Sequence, residues 1–213
     1  MANIVTSKGR EIMTGRMRGG TPTQTEPLNV GWGTNPATLT AAVTDVAPFT
    51  EASEARVAGT SSLVTTSTTN DTYQVVGTIT AAGAKTIAEV MLFDTTTKAT
   101  TNTVAAGGVV GSAVSTTLNT GSAFSPGNGN FIQIRNEVMQ VTAGSGTTAL
   151  TVVRAQNGSS AISTIAAADV VTPGNPPGQT GIAAGNLFAH CDFTGLALAS
   201  GDSIQFTLKV QVI

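Results

Sequence analysis

The chain has 213 residues, enough for one large β-domain or two small ones. Charged residues make up 10% and aromatics 4%, with a net charge of -2; an ordinary soluble domain carries about 25% charge, and disorder along the whole chain would need a high net charge. Thr, Ser, Ala and Gly stand where charges would, which suits flanks covered by neighbours better than the surface of a lone monomer.

The single cysteine, Cys191, excludes an internal disulfide framework. It alternates with Leu187, Ala189 and Phe193 and reads as a small core hydrophobe. No apolar run reaches the ~18 residues of a membrane-spanning helix, so no membrane partner is expected. The opening MANIVTSKGREIM has no apolar signal-peptide core, so synthesis and retention in a cytoplasm until assembly are expected.

Lys8, Arg10, Arg16 and Arg18 fall within the first eighteen residues, opposed only by Glu11. That segment is net +3, whereas residues 19–213 carry six basic and eleven acidic groups. GREIMTGRM could make two turns of solvated helix; alternatively the segment is a cationic arm reaching onto an acidic neighbour. Nucleic acid is not expected as a partner, because four cations without interleaved aromatics make a weak phosphate footprint. Residues 19–50 are rich in Gly, Pro and Thr and read as extended or looping. The only tryptophan, Trp32, lies there between Gly31 and Gly33, an anchor for a pocket in its own core or in a partner, with its own core favoured.

Residues 50–59 fit either a helical turn or a strand. Thr72–Thr80 sets Tyr73, Val75 and Ile79 against Gln74 and Thr78, a strand signal. After the Ala82-Gly83 turn, Thr86–Phe93 is apolar on both parities except for Glu89, as in a central strand covered on both sides. Asn186–Thr194 looks like the other arm of a hairpin begun by Thr86–Phe93, yet residues 94–185 lie between them. That interval has its own rhythm: FIQI at 131–134, a turn at Arg135-Asn136, EVMQVT at 137–142, a Gly144-Ser145-Gly146 turn, ALTVVR at 149–154, an Asn157-Gly158 turn and DVV at 169–171. The spacing predicts an inserted small β-domain over 104–182 that ends in the linker TPGNPPGQTG. Finally, Gly201-Asp202 turns into Ser203–Ile213, where Ile204, Phe206, Leu208, Val210 and Val212 alternate without a miss against polar residues. The predicted class is all-β: an antiparallel, jelly-roll-like sandwich with an inserted small β-domain and an extended N-terminal arm. Its parts are an arm over 1–38, a discontinuous sandwich over 39–103 plus 183–213, and the insert.

The residues carry little chemistry. The only histidine, His190, has Asp192 two positions on but no GxSxG elbow to expose a serine, and it reads as a solvated strand histidine. One His and one Cys are a poor start for zinc. Glu51, Glu54 and the Asn70-Asp71 pair lack EF-hand spacing, and no GxxxxGK[ST] cradles phosphate. No paired carboxylates suggest a glycosidase. No catalytic residue, cofactor or metal is expected.

Several blocks carry a resemblance: MANIVTSKGREIMTGRM, VGWGT, TEASEARVAGTSS, TTNDTYQVVGTIT, AAGAKTIAEVMLFD and NLFAHCDFTGLALASGDSIQFTLKVQVI. Together, over about 1–102 and 184–213, they resemble small structural proteins of tailed bacteriophages, in which LFD is followed after a short turn by NLF. The block GNFIQIRNEVMQVTAGSGTTALTVVRAQNG looks like a small β-module that recurs in phage virion proteins. The resemblance implies a non-enzymatic virion component made in the bacterial cytoplasm. One position for it is capsid decoration or cement, with the major capsid protein and copies of itself, as a homotrimer, for partners. Lys8, Arg10, Arg16, Arg18 and Trp32 would then be the binding residues. The other is a tail-fibre, adaptor or baseplate-associated protein involved in host attachment, with the insert able to touch the host surface.

Overall fold

The structure, a computed structural model, describes residues 3–18, 25–36, 38–106 and 116–212. In chain order the first elements are β1 (Asn3–Val5), α1 (Ser7–Met17), β2 (Asn29–Gly33), β3 (Val57–Ala58), β4 (Thr60–Val64), β5 (Thr72–Thr80) and β6 (Lys85–Phe93). Then come β7 (Asn102–Thr103), β8 (Thr117–Phe124), β9 (Phe131–Ile134), β10 (Glu137–Ala143), β11 (Thr147–Val153) and β12 (Val170–Gly174). The chain closes with β13 (Leu187–Leu198) and β14 (Ser203–Gln211). The fold is an all-β sandwich; among the described residues there is one short helix, and every strand pairing is antiparallel.

Three sheets result. One has the order β1-β13-β6-β2-β3, a second β14-β5-β4, and a third β7-β12-β9-β10-β11-β8. The first two face each other across a core that includes Val30, Trp32, Val75, Ile87, Leu92 and Phe188. Each such fully buried side chain contributes about 1.5–3 kcal/mol, so this core is the main adhesive of the outer unit. The chain passes from one sheet to the other at Gly59, whose N–H donates to Leu28 O at 2.8 Å. A Cβ there would stand 2.6 Å from Val75 Cγ1, so only glycine allows the sheets to meet so closely at that corner.

The split hairpin is present. β13 pairs with β6 from Leu187 opposite Phe93 to Leu198 opposite Lys85, although the six-stranded sheet intervenes in the chain. That sheet surrounds a core of its own, built on Leu118, Ile132, Ile134, Met139 and Leu150. Where the chain leaves β6 and returns to β13, Asn186 N donates to Asp94 Oδ1 at 2.7 Å and Asn186 Nδ2 donates to Asp94 Oδ2 at 2.5 Å. Arg56 braces the same place. Its guanidinium forms a fork with Glu51 at 2.7 and 3.0 Å, donates to Thr97 O and Ala184 O, and stacks on Phe93. A buried guanidinium satisfied on every side holds both ends of the excursion in one position.

Within the first 38 residues, the described segments 3–18 and 25–36 are packed on the sandwich rather than extended as the predicted arm. β1 pairs with β13, α1 lies against β13, and β2 is an interior strand between β6 and β3. The physical reason is the apolar content of Ile12, Val30 and Trp32, each 1% exposed or less, which finds its cover in the chain's own core.

Candidate partner-binding face and the buried histidine cluster

The N-terminal cations stand on or beside α1, and local chemistry fixes where that helix sits. Thr6 caps it: its Oγ1 accepts from Gly9 N at 3.0 Å and donates to Leu187 O. Ser7 N donates to Val43 O at 2.7 Å. Gly9 lets the first turn rest on the neighbouring strand, since a Cβ there would fall 2.1 Å from Phe188 O. Lys8 is fully buried, with its Nζ 3.1 Å from Glu11 Oε2 and donating to Gln179 O at 2.8 Å. Glu11 in turn accepts from Gly178 N at 2.8 Å. The helix is clamped on both flanks.

Its outer side is different. Arg10, Arg16 and Arg18 are exposed, and Met17 is 73% exposed. Beside them runs an apolar groove of about 300 Å³ between α1 and the edge of the β14-β5-β4 sheet, lined by Met13, Met17, Pro27, Tyr73, Val210 and Val212. The Tyr73 hydroxyl faces Glu26 Oε1 at 3.0 Å and Pro27 O at 2.9 Å. Burial first, and then Glu26, keep the phenol protonated well above its ordinary range. The groove carries one cation, Arg16, and one carboxylate, Glu26, on otherwise apolar walls, and can receive a partly apolar protein surface.

The residues expected to bind therefore divide. Arg10, Arg16 and Arg18 are exposed around α1 and its C-cap, and of the three Arg16 lines the groove. Lys8 and Trp32 are interior: Lys8 is consumed by its clamp, and Trp32 donates Nε1–H to Glu54 Oε2 at 3.1 Å and meets Phe206 edge-on at 6.2 Å. Trp32 fills its own core.

His190, read from the sequence as solvated, is fully buried. Its Nδ1 lies 2.9 Å from Asp45 Oδ2 and its Nε2 lies 2.7 Å from Glu89 Oε2. Glu89 also accepts from Phe49 N and Thr50 N, and Asp45 from Ala42 N and Gln133 Nε2. Gln133, on β9, returns the contact by accepting from Val46 N at 2.7 Å and Ala47 N at 3.0 Å. The cluster so joins β6, β13, the 39–50 loop and the six-stranded sheet. Burial alone would lower the imidazole pKa, but hydrogen bonds and charge from Asp45 and Glu89 outweigh it and raise it from 6.5 to about 9. Glu89, the one charge within the otherwise mostly apolar Thr86–Phe93, was the sequence signal of this interior site.

The other acidic residues considered for calcium are engaged. Glu51 faces Arg56, Glu54 faces Lys85 and Trp32, and Asp71 accepts from Thr66, Ser67 and Thr68 N–H groups in an exposed turn. Among the described residues, no group of three or more His, Cys, Asp or Glu side chains is arranged to hold a metal ion. No family model, curated protein or solved structure matches this chain.

Proposed function

We propose that this chain is a non-enzymatic structural component of a tailed-bacteriophage virion, and that it decorates the outer shell, binding the major capsid protein through its N-terminal segment and stabilising the shell. The observation that carries this reading is the outward set of Arg10, Arg16 and Arg18 beside exposed Met17, on a helix whose back is clamped to β13. A rigid mount spares the entropy that a loose arm would lose on docking. The resemblance of the NDTYQVVGTIT and SGDSIQFTLKV blocks to phage structural proteins supports a virion role. Exposed ion pairs contribute only about 0–1 kcal/mol each, so the arginines set register and encounter rate. Apolar contact in the groove, repeated over several linked copies, supplies the holding energy.

Co-sedimentation with empty shells of the encoding phage tests the reading. The triple variant R10E/R16E/R18E should keep its far-UV circular dichroism and lose most of its binding, and undiminished binding would remove the proposed face. Copy number separates shell from tail: a count on the order of hundreds per particle fits decoration of a symmetric shell. A dozen or fewer would transfer the chain to a tail or baseplate position.

A further inference from the structure

The sandwich is closed at one side and open at the other. At the Gly59 corner the chain runs directly from β3 into β4. On the opposite side, β1 and β14 are the ends of their sheets, and among the described residues neither has a strand beyond it. Between them lies a mouth of about 600 Å³, floored by Val90, Cys191 and Phe193 and overhung by Phe206 and Leu208. The inward residues of β14, namely Ile204, Phe206, Leu208 and Val210, are only partly buried although they pack on the main core.

A free strand edge is an unused row of backbone donors and acceptors, and such edges are ordinarily blunted by proline, bulges or clustered charge. β14 has none of these. It holds register with β5 for nine consecutive pairs without a bulge, contains no proline, and carries one charge, Lys209. The backbone edge calls for another extended strand, and the residue pattern says which one. An antiparallel copy of β14 centred on Thr207 uses all nine residues: Ser203 opposite Gln211, Ile204 opposite Val210, Gln205 opposite Lys209, and Phe206 opposite Leu208. Every apolar residue meets an apolar one on the mouth side, and every polar residue meets a polar one outside. Lys209 meets Gln205 and never itself.

We infer that the β14 edge pairs with β14 of a second copy of this chain, joining two sandwiches mouth to mouth about a two-fold axis through Thr207. The two three-stranded sheets become one of six strands, and the partly buried side chains over each mouth gain cover from the other copy. This contact is isologous and differs from the three-fold association anticipated from the sequence. It does not depend on the proposed virion role, because it rests on the strand edge alone.

Sedimentation velocity on the full chain, from about 1 to 100 µM, tests it. The expected species has twice the 21.3 kDa chain mass. Gln205 and Lys209 are both exposed, so their charges can be altered without disturbing the core. Gln205→Lys sets like charges opposite each other twice per dimer and should weaken dimerisation by roughly two- to thirty-fold, and Gln205→Glu should strengthen it by a similar factor. Under mild oxidation Thr207→Cys should form an inter-chain disulfide, whereas Ser203→Cys, which lies opposite Gln211 and far from its own copy, should not. A monomer at every concentration, a trimer, or a dimer indifferent to the sign of charge at 205 would each overturn the inference. A monomer that captures a strand from another protein would count against it equally.

Discussion

A neutral imidazole has one N–H and one lone pair, so a neutral His190 could satisfy only one of its two carboxylate neighbours. The imidazolium donates to both Asp45 and Glu89, and its raised pKa of about 9 expresses that preference. Because the folded value lies above the ordinary 6.5, the associated stability is fully present below about pH 6.5 and is lost as pH rises through about 9. The loss should be on the order of 3 kcal/mol, read as a falling midpoint in chemical denaturation between pH 6.5 and 9.5. His190→Gln should flatten that dependence while lowering stability at pH 6, and an unchanged slope would contradict the bridging role. The alternation of Asn186–Thr194 was legible, yet His190's burial was not. Its cover comes from the 39–50 loop, a segment distant in sequence with no period of its own.

At the scale of elements, α1 illustrates how packing can reverse an intrinsic preference. Replacing helix-interior glycine by alanine normally stabilises by about 1 kcal/mol. Gly15→Ala should follow that rule, because nothing lies within 4 Å of the added methyl. Gly9→Ala should do the opposite and cost about 1–3 kcal/mol, since the methyl would meet Phe188 O at 2.1 Å and lift the helix off β13. Urea midpoints of the two variants should therefore move in opposite directions. The strands carrying alternation or a long apolar run (β5, β6, β9, β10, β11, β13 and β14) were legible from spacing alone. β8 was not, because its inward Leu118, Thr120 and Phe124 are separated by Asn, Gly, Ser and Ala that do not look like a strand. Nor did the sequence decide between helix and arm for residues 7–17. The deciding contacts, Thr6 with Leu187 O and Lys8 with Gln179 O, reach across more than 170 positions.

For the whole molecule, the 39–50 loop meets the six-stranded sheet through Val46 and Ala47 packed on Val138 and through side-chain hydrogen bonds of Gln133, Asn136 and Asn157. The Gln133 side chain accepts from Val46 N and Ala47 N and donates to Asp45. Gln133→Leu leaves two buried amides without an acceptor, at about 1–3 kcal/mol each. Hydrogen exchange should show the Val46 and Ala47 amides losing protection while β9 and β10 keep theirs, and uniform loss across both sheets would show that the units are not separable in this way. The candidate face was half legible: the arginines were visible as a charge excess, but the groove beside them arises only when Tyr73, Val210 and Pro27 are brought to α1. The split hairpin also has a consequence in time. Asp94 and Asn186, joined in the fold, are 92 positions apart. Closing that span in place of a four-residue turn costs roughly 3 kcal/mol of chain entropy at about 0.6 kcal/mol per doubling of length. The intervening sheet, built from nearer contacts, shortens the effective span once it forms. It also leaves the ribosome before β13 and β14, so the part of the molecule that begins first is completed last.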